Sequence, residues 1–107
     1  MAIKRYNIYV IELDKEVLTK KRFMKANPDY VDGKRCFYVG MTSHAPEKRF
    51  EQHKAGIKSN SYARRFGLKL RPRHYAVHNP MTYDDAVEME KEKARRLRKR
   101  GYAVWQN

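Results

Sequence analysis

The stretch RCFYVGM at residues 35–41 decides the fold, because it has the composition of a strand that returns to pair with IKRYNIYVIEL at residues 3–13. Both stretches are rich in aromatic and β-branched residues, and the strand at 3–13 is predicted to be buried on both faces over most of its length. Residues 14–35 between them are basic and carry the turn signals Asn-Pro-Asp and Asp-Gly. They predict an insertion, with a short helix and then a loop, between two antiparallel strands.

Outward from these strands, the pattern predicts helices at 46–55, 59–66 and 82–100, and a third strand at 71–78. Residues 82–85 (Thr-Tyr-Asp-Asp) are similar to a capping box, and Gly101 follows the last helix. Residues 102–105 are predicted to dock on the sheet. The prediction is one α+β domain over residues 1–107: a small three-stranded, mainly antiparallel sheet flanked by helices.

The charge of the chain favours a polyanionic partner. Lysine and arginine number 25 against 12 acidic residues, which gives a net charge of +13. No acidic residue lies between Gln52 and Tyr83, or after Glu92. Nucleic acid is the expected partner, DNA before RNA, and we expect its phosphates to meet basic residues of the middle of the chain. These are Lys48, Lys54, Lys58, Arg64, Arg65, Lys69, Arg71 and Arg73.

A membrane surface and simple solubility account for this charge less well than nucleic acid does. A membrane partner is not expected, because the chain has neither a long apolar run nor a basic helix with a broad apolar face. A basic surface that only keeps the protein in solution is disfavoured by the aromatic residues among the cations, which are of the kind that stack on bases. The aromatic residues are Tyr62, Phe66, Tyr75 and Tyr83.

Cysteine content and the N-terminal sequence indicate the compartment. Cys36 is the single cysteine, which excludes an internal disulfide and a zinc site built from several thiolates. The basic Lys4 and Arg5 are not followed by the apolar segment of a secretion signal. We therefore expect a cytoplasmic protein, associated with the nucleoid if it is bacterial.

Glu90 stands out on the predicted last helix, because helical periodicity places it within the apolar stripe of that helix. Ala86, Ala94 and Leu97 belong to the same stripe, together with Val87 and Tyr83. A carboxylate on a buried face needs a compensating partner. The helix alone favours an ion pair with Arg49 or a lysine, and a metal ligand is the alternative.

Arg49 and His53 are four residues apart and share one face of the predicted helix at 46–55. Arginine can neutralise charge on a phosphate, and histidine can hold or move a proton near neutral pH. Taken alone, the pair is also typical of the polar side of an amphipathic helix. Tyr9 and Tyr38 taken alone are typical of core tyrosines with a satisfied hydroxyl.

Four short motifs together resemble the GIY-YIG nuclease family. They are Asn-Ile-Tyr at 7–9, Tyr-Val-Gly at 38–40, EKRFEQH at 47–53 and AVEME at 86–90. Asn7 replaces the first glycine of the family name, and the insertion at 14–35 separates the two tyrosine motifs further than is usual in the family. The resemblance spans almost the whole chain.

The resemblance implies a metal-dependent endonuclease that hydrolyses phosphodiester bonds in DNA. Glu90 would hold one Mg²⁺ or Mn²⁺ at the scissile phosphate, and Tyr9 would take the proton of the attacking water once nearby charge lowers its pKa. Arg49 would stabilise the transition state. Tyr38 and His53 would position the water or the phosphate, and Gly40 would allow a close backbone approach.

Two other functions remain open from the sequence. One is a basic domain that binds DNA or RNA without cutting it, and the other is a component of a ribonucleoprotein. A nuclease of this length is expected to cut structure-selectively, to use its basic loops, or to take its specificity from a protein partner or a homodimer.

Overall fold

The sheet is built on the predicted pairing of the two tyrosine-bearing strands. The computed structural model describes residues 3–106, so residues 1, 2 and 107 of the predicted domain lie outside the described residues. Strand β1 (Asn7–Leu13) runs antiparallel to β2 (Cys36–Thr42), with Tyr9 opposite Gly40. Both strands are almost completely buried, which confirms the prediction for the first strand.

The insertion between β1 and β2 contains short helices, as predicted, and it is tied to the sheet. A 3-10 turn (Lys15–Thr19) leads into helix α1 (Lys21–Lys25), whose Phe23 is buried. The buried Asn27 then accepts a hydrogen bond from the backbone N–H of Val104 at 2.7 Å. The insertion therefore covers one edge of the sheet and supplies part of the core.

The sheet has four strands and is mixed, so the prediction of three strands was wrong. The strand order is β3-β1-β2-β4, and the fourth strand, β4 (Ala103–Gln106), pairs in parallel with β2. The apolar tail docks on the sheet as expected, but it does so as a strand. Gly101 makes this possible, because its φ of +92° turns the chain sharply after the last helix.

The third strand in sequence is displaced from its predicted place. Strand β3 (Gly67–Leu70) follows helix α3 (Ser61–Phe66) with no intervening loop. A Cβ at Gly67 would lie 2.3 Å from the carbonyl oxygen of Ala63, so only glycine fits this junction. Pro72 lacks an N–H for the ladder, and the predicted strand at 71–78 is instead two 3-10 turns.

The remaining helices lie close to their predicted positions and cover the sheet. They are α2 (Pro46–Lys54) and α4 (Tyr83–Lys99). The hydroxyl of Thr82 accepts from the backbone N–H of Asp85 at 3.1 Å, which confirms the N-cap. None of the helices in residues 3–106 combines the length and apolar character needed to cross a membrane.

The buried face of α4 is the predicted one with two corrections, because Val87 is only half-buried and Tyr83 is exposed. Ala86, Glu90, Ala94 and Leu97 are buried, whereas Tyr83 is 55% exposed. Tyr83 lies at the first turn of the helix, where its ring packs edge-on against Tyr6. Glu90 is thus a carboxylate among small apolar side chains.

Candidate active site

A cluster of polar side chains lies at the Gly40 end of β2. Tyr9 stands opposite Gly40 across the strand pair, and Tyr38 lies two residues before Gly40, so the three positions share one face of the sheet. A Cβ at Gly40 would lie 2.5 Å from Oη of Tyr9 and 3.1 Å from Cε1 of Tyr38. Glycine therefore provides the space in which the hydroxyl of Tyr9 rests.

His53, in the last turn of α2, joins the two tyrosines. Its side chain is fully buried, its Nε2 lies 2.8 Å from Oη of Tyr9, and its ring packs edge-on against Tyr38. Burial and the neighbouring charge of Arg49 lower the pKa of His53 to about 4. The ring is therefore neutral at pH 7 and carries one N–H.

The hydrogen-bond partners of His53 determine which ring nitrogen carries that proton. The backbone N–H of Asn60 donates to Nδ1 of His53 at 3.3 Å, so Nδ1 is an acceptor and the proton is on Nε2. Nε2–H then donates to the oxygen of Tyr9. The proton of the Tyr9 hydroxyl remains available to a third group.

Both tyrosines are neutral phenols at pH 7. Burial raises the pKa of Tyr9 to about 12, against the opposing charge of Arg49. Burial also raises the pKa of Tyr38, and the adjacent Tyr9 adds to this effect. The protein environment alone therefore makes Tyr9 a hydrogen-bond donor rather than a ready base, contrary to the lowered pKa expected for proton abstraction.

Arg49 is held by acceptors that carry no formal charge. Its Nη1 donates to the carbonyl of Ile57 at 3.2 Å and to Oε1 of Gln52 at 3.3 Å, and its Nη2 donates to the carbonyl of Lys58 at 2.9 Å. No carboxylate pairs with it within residues 3–106. Its charge is therefore fixed in place and not neutralised.

An open depression of about 320 Å³ lies beside the guanidinium of Arg49. A depression next to a guanidinium that keeps its charge is suited to a phosphate group. A larger one, of about 650 Å³, lies over α4 at Met81 and Glu88, away from Arg49, and neither depression is lined by the tyrosines or by Glu90. The depression at Arg49 is lined by Thr42, His44, Arg49, Gln52, Ile57 and Lys58.

Glu90 approaches the tyrosines from α4 and is only 7% exposed. Its Oε1 accepts from Nε2 of Gln106 at 2.8 Å. Burial raises its pKa, and its charge also raises the pKa values of Tyr9 and Tyr38. The ion pair with Arg49 or a lysine, which the helix alone favoured, does not form among the described residues.

The residues around Glu90 fit one kind of metal binding. No group of three or more His, Cys, Asp or Glu side chains that could enclose an ion occurs in residues 3–106. Mg²⁺ often binds through one or two carboxylates, with waters and substrate phosphates completing its coordination. Glu90 offers one such carboxylate, buried and oriented by Gln106, and a bound cation would oppose the effect of burial by favouring its ionised form.

The predicted nucleic-acid contacts differ in their surroundings. Nζ of Lys54 donates to the carbonyls of Arg64 and Gly67, and Arg71 pairs with Glu12 at 3.2 Å. Lys58 lines the depression beside Arg49. The remaining predicted contacts are exposed: Lys48, Arg64, Arg65, Lys69 and Arg73.

Two of the four aromatic residues expected to stack on bases are unavailable. Phe66 and Tyr75 are buried in the core, so that prediction was wrong for them. Tyr62 packs edge-on against Trp105. Tyr83 is the exposed member of the set.

Sequence reasoning missed two residues that hold the cluster together. Asn60 donates its N–H to His53 and also caps α3 through its side chain, which accepts from the N–H groups of Tyr62 and Ala63. An asparagine just before a helical segment is a recognisable capping signal. No local sequence pattern marks Gln106, because its hydrogen bond to Glu90 depends on the parallel pairing of β4 with β2.

No protein-family model, no curated protein and no solved structure matches this chain.

Proposed function

We propose that this chain is a metal-dependent endonuclease that hydrolyses phosphodiester bonds in DNA with a GIY-YIG-type active site. The observation that carries the proposal is that Tyr9, Tyr38 and His53 contact one another at one end of β2, with Arg49 and Glu90 close enough for their charges to change the pKa values of both tyrosines. These residues come from four different elements of the chain. Core packing alone does not require a buried carboxylate near two tyrosine hydroxyls, or an arginine whose charge is not neutralised.

The reaction transfers one water to the scissile phosphate. The water oxygen bonds to phosphorus, the bond from phosphorus to the 3′ oxygen breaks, and the products carry a 5′ phosphate and a 3′ hydroxyl. Arg49 stabilises the charge that builds up on the phosphoryl oxygens. Its support comes from the depression beside it and from the absence of a carboxylate partner in the described chain.

Tyr9 would take the proton of the attacking water only once a cation held by Glu90 favours its ionised form, and His53 positions Tyr9. With a pKa near 4, His53 is a poor proton acceptor at pH 7, and its Nδ1 is already engaged by Asn60. It orients the oxygen of Tyr9 by donating Nε2–H. Tyr38 packs beside both rings and limits their movement.

Glu90 would hold one Mg²⁺ or Mn²⁺ through the carboxylate that Gln106 orients. When bound, the ion would supply positive charge to the phosphate oxygens and the leaving group, and would favour ionised groups nearby.

The test is incubation of purified protein with supercoiled plasmid in Mg²⁺, Mn²⁺ or EDTA, with Glu90→Gln beside the wild type. Glu88→Gln is the matched control, since Glu88 is an exposed carboxylate on the same helix. We expect metal-dependent nicking by the wild type and Glu88→Gln, and none by Glu90→Gln. Duplex binding should remain within a few-fold for all three proteins.

Equal cleavage by wild type and Glu90→Gln would refute the metal-ligand role. Tight, salt-sensitive binding without cleavage in any metal would instead favour the non-catalytic DNA- or RNA-binding domain. Preference for RNA in that experiment would favour the ribonucleoprotein component.

A further inference from the structure

A second charged region lies at the opposite end of β2, and we call it the basic cleft. It is an open cavity of about 320 Å³ bounded by the start of β2, the turn at 71–74 and the second half of α4. Arg35 lies about five residues from Gly40, which is roughly 16 Å along a strand. The basic cleft is lined by Arg35, Phe37, Arg71, Arg73, His74, Lys93, Arg100 and Tyr102.

The cations of the basic cleft outnumber their counterions. Glu12 pairs with Arg71 at 3.2 Å and approaches Arg35 at 3.8 Å. The other three cations, Arg73, Lys93 and Arg100, have no carboxylate partner within residues 3–106. Like charges gathered from separate elements lower stability unless an anion lies between them.

Burial and the crowding of positive charge in the basic cleft together lower the pKa values of His74 and Lys93. Burial lowers the pKa of His74, and the charges of Lys93, Arg71, Arg100 and Arg73 lower it further. Burial also lowers the pKa of Lys93, with contributions from Arg96 and Arg100. The ring of His74 packs edge-on against the buried Phe37, which fixes one wall of the cleft. The accessible lining of the cleft is mostly polar and carries the cations.

We infer that the basic cleft is a binding site for a phosphate group, separate from the cluster at Gly40. Guanidinium groups on several sides match the oxygens of a phosphate, and an open mouth admits one that belongs to a larger molecule. The phosphate can come from a nucleic-acid backbone or from a free phosphate compound. The inference rests on the proposed function only in naming DNA as the nucleic acid.

The test compares two double variants that lose the same charge. Arg73→Gln with Lys93→Gln removes two cations of the basic cleft that have no carboxylate partner in the described part of the chain. Lys21→Gln with Lys25→Gln removes two exposed cations from α1, outside the cleft. Pyrophosphate binding is followed by the movement of backbone amide signals in NMR spectra, and duplex binding by the anisotropy of a short fluorescein-labelled DNA duplex over a series of salt concentrations.

For the wild type, we expect pyrophosphate to move the amide signals of Arg71, Arg73, His74 and residues 100–102. Affinity should fall about tenfold in the cleft variant, since two solvent-screened ion pairs with the phosphate are removed. If the ligand is a DNA phosphate, the slope of log K against log salt should also become shallower by about 0.9 for each phosphate that the variant no longer neutralises. If the ligand is a free phosphate compound, only the pyrophosphate affinity should fall.

The melting temperature distinguishes an anion site from a purely structural role of Lys93 in the basic cleft. Because Lys93 is repelled by its neighbours, Lys93→Gln should raise the melting temperature of the unliganded protein. Pyrophosphate should raise the melting temperature of the wild type and have less effect on the variant. A lower melting temperature for unliganded Lys93→Gln would contradict the inferred anion site.

The inference would be overturned if the cleft variant and the α1 variant lowered the affinities for pyrophosphate and for duplex DNA equally, because the overall charge of the protein would then account for the binding. Signal changes confined to the Arg49 depression would overturn it as well. The proposed function fails separately, through plasmid cleavage that survives Glu90→Gln. The loss of pyrophosphate binding in the cleft variant does not depend on that result.

Discussion

The two ends of strand β2 hold polar groups in opposite ways. At the Gly40 end the side chains are buried and satisfy one another, with His53 placed between Asn60 and Tyr9. At the Arg35 end the cations range from half-buried to exposed, and one carboxylate, Glu12, serves two of them. The first arrangement depends on geometry and the second on charge. Substitutions and salt should therefore affect the two ends differently.

The largest effect is expected at Arg49, where geometry and charge act together. Arg49→Ala should lower the turnover of the proposed cleavage reaction by about 10²- to 10³-fold, because a preorganised charge at the phosphate is removed. Duplex affinity should change far less. Single-turnover cleavage and anisotropy measure the two quantities, with Arg49→Lys keeping the charge but not the forked hydrogen bonds to the carbonyls of Ile57 and Lys58.

A parallel fall of cleavage and affinity in Arg49→Ala would make Arg49 a docking residue. Full activity in Arg49→Lys would show that charge alone suffices at this end of β2.

The next effect is the pH dependence of stability at His53. Its pKa is about 4 in the folded protein against 6.5 for an ordinary histidine, so the unfolded chain binds a proton that the folded chain does not. His53 should therefore contribute about 3 kcal/mol to the fall in the free energy of unfolding as the pH drops from 6.5 to 4, in addition to the contributions of His74 and His78, whose pKa values are also lowered. Urea unfolding across this range measures the slope.

His53→Gln should flatten that slope, and the same substitution at the exposed His44 is the control. An unchanged slope in His53→Gln would mean that His53 is not held neutral by burial.

A smaller loss is expected from Gly40→Ala. The added methyl group would meet Oη of Tyr9, which is fixed by its bond to His53. We expect about 1–3 kcal/mol of destabilisation by urea unfolding, little affected by salt. Unchanged stability would show that the tyrosine ring has room to move.

The smallest effect is expected at the other end, from Glu12→Gln. Removing the carboxylate that serves Arg71 and Arg35 should destabilise the protein by about 1 kcal/mol at low salt. Added salt should reduce the loss, since the remaining repulsion is screened. Glu51→Gln, at an exposed carboxylate of α2, is the control. A loss independent of salt would remove the contrast between the two ends.

The parts of the fold that follow from local patterns could be predicted from the sequence. The strand pair, the helix at Pro46 and the Thr82 cap depend on periodicity and on neighbouring residues, and they lie where expected. The third and fourth strands could not be placed, because edge pairing depends on distant partners. Pro72 was the local signal that the strand had already ended.

The candidate site, like the fold, has a part that local sequence patterns predict and a part that depends on distant residues. Helical periodicity alone placed Glu90 on the buried face of α4, and spacing alone placed Arg49 and His53 on one face of α2. The partners that give these residues their character come from elsewhere in the chain: Asn60 fixes the proton of His53, and Gln106 orients Glu90. Such partners follow from tertiary contacts, which a single sequence does not display.

The way in which Arg49 is held has a consequence for entropy. Immobilising an arginine side chain costs up to about 2 kcal/mol in rotamer freedom. Here the carbonyls of Ile57 and Lys58 impose that order when the chain folds, and a guanidinium with five N–H groups keeps donors for a ligand. A glycine-rich lengthening of the loop after Gly56 would return the ordering of Arg49 to the binding step. The longer loop would then weaken anion binding even with every residue that lines the depression kept.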